Sequence, residues 1–281
     1  MKILRNLVGA VLAVSLASCA TTKPDTPSAK TAFVAAPDKP ATKRLKADEP
    51  VPMEPAAWLR PNRPLGQLGG RTITASSISD IHLAPREVVL TFDDGPMPGK
   101  TERILATLDR YGVKATFLMV GQMAKSYPSI ARKVAEQGHS IGSHTWGHPN
   151  LKGIAYDQAI NQITKGELAV RSGAGVQPGF FRFPYLADTP RLRSALAHRG
   201  TVVLDVSIDS KDYFTSQPSE IVERTMAALH RRGNGVILMH DIHSRTVNML
   251  PMLLQRLKSE GYKVVTLQYA RSRMPMLAAA F

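Results

Sequence analysis

The feature that most constrains this chain is an alternation. Between residues 87 and 267, seven short runs rich in β-branched and aromatic residues are separated by stretches with helical apolar spacing. The strand-like runs are 87–92, 115–120, 139–143, 180–183, 201–206, 235–239 and 263–267. Helical spacing fills 101–110, 128–137, 157–171, 190–199, 218–232 and 246–259. Gly112 and Gly138 stop the first two helices, Asp157 fits a cap, and Thr189-Pro190 opens the fourth with proline in its first turn. Strands joined through helices pair in parallel, because a crossover returns the chain to the same end of the sheet. The fold class expected is α/β, with about seven parallel strands in an open doubly wound sheet or a (β/α) barrel. Periodicity does not decide between the two. Neither a GxGxxG after the first strand nor a GxxxxGK[ST] is present, so the common nucleotide-binding forms have no support. Residues 71–82 alternate weakly and predict a small strand pair ahead of the core.

The ionisable residues cluster where these strands end. Asp93 and Asp94 follow the first, His144 and His148 the third, and Arg182 closes the fourth. Asp209 and Asp212 follow the fifth, and His240-Asp241 ends the sixth. In a parallel barrel the carboxyl ends of the strands share one rim, where active sites are built. Two adjacent carboxylates repel at a strand end unless a cation or proton separates them. Two imidazoles four residues apart, with one carboxylate, make a three-ligand set with open positions, the arrangement of catalytic zinc. No HExxH is present, which excludes the usual zinc-protease helix.

In chain order, TFDDGP (91–96), HTWGH (144–148), RFPY (182–185), DSKDY (209–213) and LMHD (238–241) resemble the five motifs of the polysaccharide deacetylase family, the NodB-homology domain or carbohydrate esterase family four. The resemblance covers residues 86–270 and implies a distorted, TIM-like (β/α) barrel with about seven parallel strands. It implies a metal-dependent hydrolase that removes acetyl groups from polysaccharide with one divalent ion, most often Zn²⁺. It assigns Asp94, His144 and His148 to the metal, and Asp93 to the general base held by Arg182. It assigns His240 to the general acid paired with Asp212, the backbone N–H of Tyr185 to the oxyanion, and Leu238 to the acetyl pocket. Leu186 stands where the family usually has Gly, and Tyr213 where it usually has Trp; both touch the substrate rim. Trp146 and Tyr213 are expected to line a sugar groove or pack the rim, and the role of Asp209 is left open. His139 and His243 match no motif firmly.

The amino terminus reads as an address. Lys2 and Arg5 precede an apolar run, and Leu16-Ala17-Ser18-Cys19 resembles the end of a bacterial lipoprotein signal, with Cys19 the lipidated residue. Cys19 is the one cysteine of the chain, which removes an intramolecular disulfide or a Cys-based zinc cluster. Ala20 at the next position suggests the outer membrane, facing the periplasm, in a Gram-negative source. Nine of the twenty prolines lie between Pro24 and Pro64, so residues 20–64 are expected to be a disordered tether. Residues 65–85 then extend the core, 86–270 form the catalytic domain, and 271–281 are a tail. The formal charge of +14 suits a solvated basic face or an anionic envelope surface, and export argues against nucleic acid.

The function expected is N-deacetylation of an N-acetylglucosamine-containing polymer, peptidoglycan first, then chitooligosaccharide or exopolysaccharide, by a monomer held to a membrane by lipid. The alternatives are an O-acetyl esterase and a non-catalytic glycan-binding lipoprotein.

Overall fold

The structure is a computed structural model that describes residues 68–270. The expected signal segment with Cys19, the tether and the tail from 271 lie outside the described residues. Nine strands and seven α-helices follow in order: β1 (Gly69–Ala75), β2 (Glu87–Asp93), α1 (Thr101–Arg110), β3 (Thr116–Met119), α2 (Gly121–Ser126), α3 (Pro128–Glu136), β4 (Ser140–Ser143), α4 (Tyr156–Ala174), β5 (Phe180–Phe181), α5 (Pro190–His198), β6 (Val202–Val203), β7 (Ile208–Asp209), α6 (Pro218–Arg232), β8 (Gly235–His240), α7 (Ser244–Ser259) and β9 (Lys263–Tyr269). All strand pairings are parallel, as the crossovers require.

Seven of the strands form an arc in the order β6-β5-β4-β3-β2-β8-β7. Among the described residues β6 and β7 do not pair with each other, so the distorted barrel stays open at that seam. The seam strands are two residues each; Asp205 interrupts the apolar run predicted over 201–206, and Ser207 follows directly after it. The strand pair expected over 71–82 is instead the single strand β1, which pairs with the distant β9, followed by a 3-10 turn at Ile78–Asp80.

Together β1 and β9 cover the amino end of the arc. β9 pairs with the first two residues of β2, then crosses beneath β4 to β6. The Ser140 hydroxyl donates to the carbonyl of Leu267, and the Tyr269 hydroxyl donates to the carbonyl of Gly200 at 2.9 Å. Val89, Leu118, Phe180, Val202, Val236, Val265 and Leu267 fill the space between β9 and the strands. Burying each such side chain contributes about 1.5–3 kcal/mol.

The helices pack on the outside through single apolar faces. α1 buries Ile104, Leu105 and Leu108, and α7 buries Val247, Leu250, Leu254 and Leu257, at helical spacing. Local signals set their ends. Thr189 accepts from the Leu192 N–H at 3.2 Å with Pro190 in the first turn, and Gly233 ends α6 at φ 86°. Asp157 does not cap α4; it lies in the first turn, where its charge suits the helix dipole. No described helix is long and apolar enough to cross a membrane.

Candidate active site

The site stands at the carboxyl end of the arc. β2 runs into it as a strand buried from Val88 onward, whose last residue is Asp93. The β2–β8 register places Asp93 beside His240 and Thr91 beside Leu238. At Asp94 the backbone turns to φ 79°. Gly95 is required next, since a Cβ there would fall 2.0 Å from Asp241 Oδ2. Asp241 is fully buried and accepts from the Thr101 hydroxyl at 2.6 Å, so the end of β8 buttresses the turn after β2. Burial pushes the Asp241 carboxyl up to about 7, against the hydrogen bond from Thr101.

Asp94, His144 and His148 converge. The Asp94 Oδ1 atom lies 3.6 Å from His144 Nε2 and 3.4 Å from His148 Nε2. His144 follows β4 directly. His148 lies in a turn, not on a helix, with Thr145 and His148 both at positive φ and the His148 N–H on Thr145 Oγ1 at 3.0 Å. A carbonyl oxygen can only accept. The 2.8 Å contact between His144 Nδ1 and the Arg182 carbonyl therefore fixes the proton on Nδ1 and leaves Nε2 a bare lone pair. Burial holds the His144 imidazole below its ordinary range, against the attraction of Asp93 and Asp94, which keeps that lone pair free. Asp94 Oδ1 is buried with no hydrogen-bond partner.

This donor set fits a divalent cation. The ligand atoms lie within 4.8 Å of one another, and a tetrahedron with ~2.0–2.1 Å bonds has edges of ~3.3–3.4 Å. Without a cation, an orphaned carboxylate oxygen facing the Nε2 lone pair of His144 is electrostatically unfavourable.

Two further pairs flank the group. Arg182 is 1% exposed; its Nη1 donates to Asp93 Oδ1 at 2.7 Å and to Thr91 Oγ1 at 2.8 Å, and its Nε to the Leu204 carbonyl at 3.1 Å. The Asp93 Oδ2 atom then faces His144 Nε2 at 3.7 Å. Opposite, Asp212 is 0% exposed. It accepts from His240 Nδ1 at 2.7 Å, the His240 N–H at 2.8 Å and the Thr246 hydroxyl at 2.6 Å. Burial alone would lower the His240 imidazole, but the Asp212 hydrogen bond and charge prevail and raise it to about 9.

The rim is apolar. Tyr185 is 67% exposed, at φ 58°, with its ring edge-on to His148 at 4.7 Å. Tyr213 packs edge-on against His240 at 5.5 Å, and its ring is tilted against that of Phe214 at 4.7 Å. Leu186 and Phe214 are exposed beside them, and Leu238 is buried on β8. Asp209 takes the Tyr213 hydroxyl at 2.8 Å, which gives it an orienting place. Trp146 carries Lys165 Nζ 4.1 Å above its ring. His139 lies away from the site, buried against Phe117.

Every site residue predicted between Asp93 and His240 thus stands on this one rim. Sequence reasoning missed Thr101, Asp241 in its buttressing place, and Thr246. It also missed Arg224 and Arg245, which grip the loop around Asp212. The only signal for Asp241 was its place next to His240; the others carry none.

Residues 81–204 match the family described as polysaccharide deacetylase. A peptidoglycan-N-acetylglucosamine deacetylase, PgdA, of Listeria monocytogenes is 34% identical over 182 residues, 65% of this chain and 38% of that protein. A chitin deacetylase of Colletotrichum lindemuthianum is 33% identical over 194 residues, 65% of this chain and 78% of that protein. Among solved structures, a peptidoglycan deacetylase of Bdellovibrio bacteriovorus aligns with a TM-score of 0.63 at 32% identity, covering 73% of this chain and 57% of that one. The chain thus spans well under two thirds of the Listeria and Bdellovibrio proteins. Its match to the fungal protein does cover most of that relative, with the motif residues on one rim, and the chain belongs to the polysaccharide deacetylase family.

Proposed function

We propose that this protein is a metal-dependent hydrolase that removes N-acetyl groups from N-acetylglucosamine-bearing polysaccharide, with peptidoglycan the favoured substrate. The observation that carries the reading is the convergence of Asp94 Oδ1, His144 Nε2 and His148 Nε2 between a held carboxylate and a charged imidazole. Bound by those three residues, a divalent ion, Zn²⁺ by its preference for such donors, would polarise the acetyl carbonyl and acidify water. Asp93 takes the proton of the attacking water through Oδ2, while Arg182 holds Oδ1. The backbone N–H of Tyr185 donates to the oxygen that gains charge as the new C–O bond forms. His240 delivers a proton from Nε2 to the nitrogen as the C–N bond breaks, and Asp212 keeps it charged until then. Leu238 bounds the methyl side of the acetyl group. The products are acetate and a free amine on the sugar.

The names of the bacterial relatives support peptidoglycan, and that of the fungal relative supports chitooligosaccharide as the next substrate. We further infer export as a monomeric lipoprotein anchored through Cys19, on the strength of Leu16-Ala17-Ser18-Cys19; labelled palmitate should enter the protein and fail to enter Cys19→Ser.

The deciding experiment is mass spectrometry of peptidoglycan fragments and chitin oligomers after incubation, with zinc, with chelator, and with zinc restored. Loss of acetyl that stops with chelator and returns with zinc is expected. Binding of glycan with no acetate released under any condition would sink the catalytic reading. Zinc should also raise the melting temperature of the wild type and not of Asp94→Asn, because a ligand held only by the folded state stabilises it.

A further inference from the structure

The loop from β7 into α6 folds on itself. Asp209 accepts the Lys211 N–H at 2.9 Å through one oxygen and the Tyr213 hydroxyl at 2.8 Å through the other, and Lys211 stands at φ 55°. Backbone carbonyls near a buried site need partners. Here they are taken in sequence by two guanidinium groups. Arg224, on α6, donates from Nε to the Ser210 carbonyl at 3.0 Å and from Nη2 to that of Lys211 at 3.2 Å. Arg245, in the first turn of α7, donates from Nε to the Asp212 carbonyl and from Nη2 to that of Tyr213 at 3.1 Å. Four successive carbonyls are held by two side chains from two helices. Among the described residues neither arginine forms an ion pair, so both forks are committed to this loop.

The loop carries Asp212, which must meet both the Nδ1–H and the main-chain N–H of His240 at once. Such bonds weaken steeply with misalignment. The residue after Asp212 is Tyr213, whose ring packs on the same imidazole. One shift of the loop therefore displaces both contacts of His240.

We propose that Arg224 and Arg245 are positioning residues for the proton donor: a two-armed clamp that fixes the 209–213 loop so that Asp212 charges and aims His240. Neither arginine touches the reacting atoms. The assignment rests on the reading of His240 as the acid, and its test has one arm that does not need turnover.

The first arm is the low-field proton resonance of the His240 Nδ1–H, assigned by its absence in His240→Gln. It is expected in the wild type and in Arg256→Ala, which cuts ion pairs to Glu223 and Glu260 elsewhere on α7. It is expected to broaden or vanish in Arg224→Ala and Arg245→Ala. The second arm is kinetic. Misplacement of a catalytic group by about 1 Å costs up to ~100-fold, so kcat on an N-acetyl glycan should fall ~10–100-fold with KM little changed. Hydrolysis of an acetate ester should fall less, because its leaving group needs less protonation. Arg245→Lys, which keeps one donor, should recover part of the loss. An unchanged resonance and an unchanged amide-to-ester ratio in both alanine variants would overturn the clamp, as would the same losses in Arg256→Ala. If Arg245→Ala does not fold, Arg224→Ala and Arg245→Lys carry both arms. A wild type with the resonance but no turnover would remove the proposed function and leave the clamp to be judged by the first arm.

Discussion

Asp212 has no contact with solvent, and burial alone would raise its carboxyl. Its hydrogen bonds and attraction to His240 outweigh that and hold it below the usual carboxylate range. The same exchange keeps the His240 proton until about pH 9 instead of 6.5. A raised folded-state value gives stability that is full below about 6.5 and lost as pH rises through about 9. On the proposed mechanism, the acid His240 is lost over the same upper limit. With Asp212→Asn the charge is gone while a hydrogen bond to Nδ1–H can persist. The basic limb of the kcat profile should then move down by a pH unit or more, and kcat on N-acetyl substrate should fall by ~10²–10⁴-fold. A pH–rate series on both proteins checks this; coincident basic limbs would refute it.

At the scale of elements, the loop that carries His144 and His148 packs on a helix that contributes no side chain to the candidate metal site. Gly166 of α4 packs so closely that a Cβ would lie 2.3 Å from the Thr145 carbonyl carbon, and Thr145 sits between the two histidines in sequence. Backbone cannot give way as a flexible side chain does. Gly166→Ala should cost ~1–3 kcal/mol in urea unfolding, and should weaken zinc binding measured by chelator competition. Weakened folding with unchanged zinc affinity would show that α4 does not set the loop. For contrast, Thr189→Ala removes a cap from α5 and should cost ~0.5–2 kcal/mol with zinc affinity unchanged. The difference explains what was legible in the sequence. The five polar clusters could be read because parallel strands bring their carboxyl ends together whatever the loops do. Thr189 could be read because a cap acts within four residues. The pairing of β1 with β9 joins segments nearly the full domain apart, and no local pattern encodes it. The six-residue α2 was missed because Gly121 opens it and it has little apolar periodicity of its own. Arg224 and Arg245 bind carbonyls, which every residue has, so no partner type betrays them in the sequence.

Across the whole molecule, one buried histidine sets a limit on acid tolerance. His139, between α3 and β4, accepts the Ala115 N–H at 3.1 Å through Nδ1, and its Nε2 has no partner. Burial drives its imidazole down to about 3, aided by Lys114. A depressed value means the unfolded chain takes up a proton first as pH falls. Stability present above about 6.5 is then lost toward about 3, at roughly 1.4 kcal/mol per pH unit at most. His139→Asn keeps an acceptor for Ala115 and removes the titration. Its unfolding free energy should fall less steeply between pH 6 and 4 than that of the wild type, read from urea midpoints at each pH; parallel slopes would reject the assignment.

The lid formed by β1 and β9 has one more effect. The described chain enters at Leu68, beside the start of β2, and leaves at Ala270, bonded to Ala75 near the start of β5. Both exits thus lie on the underside, across the molecule from Asp94 and His240. Neither end of the described chain therefore crosses the face that carries Asp94 and His240.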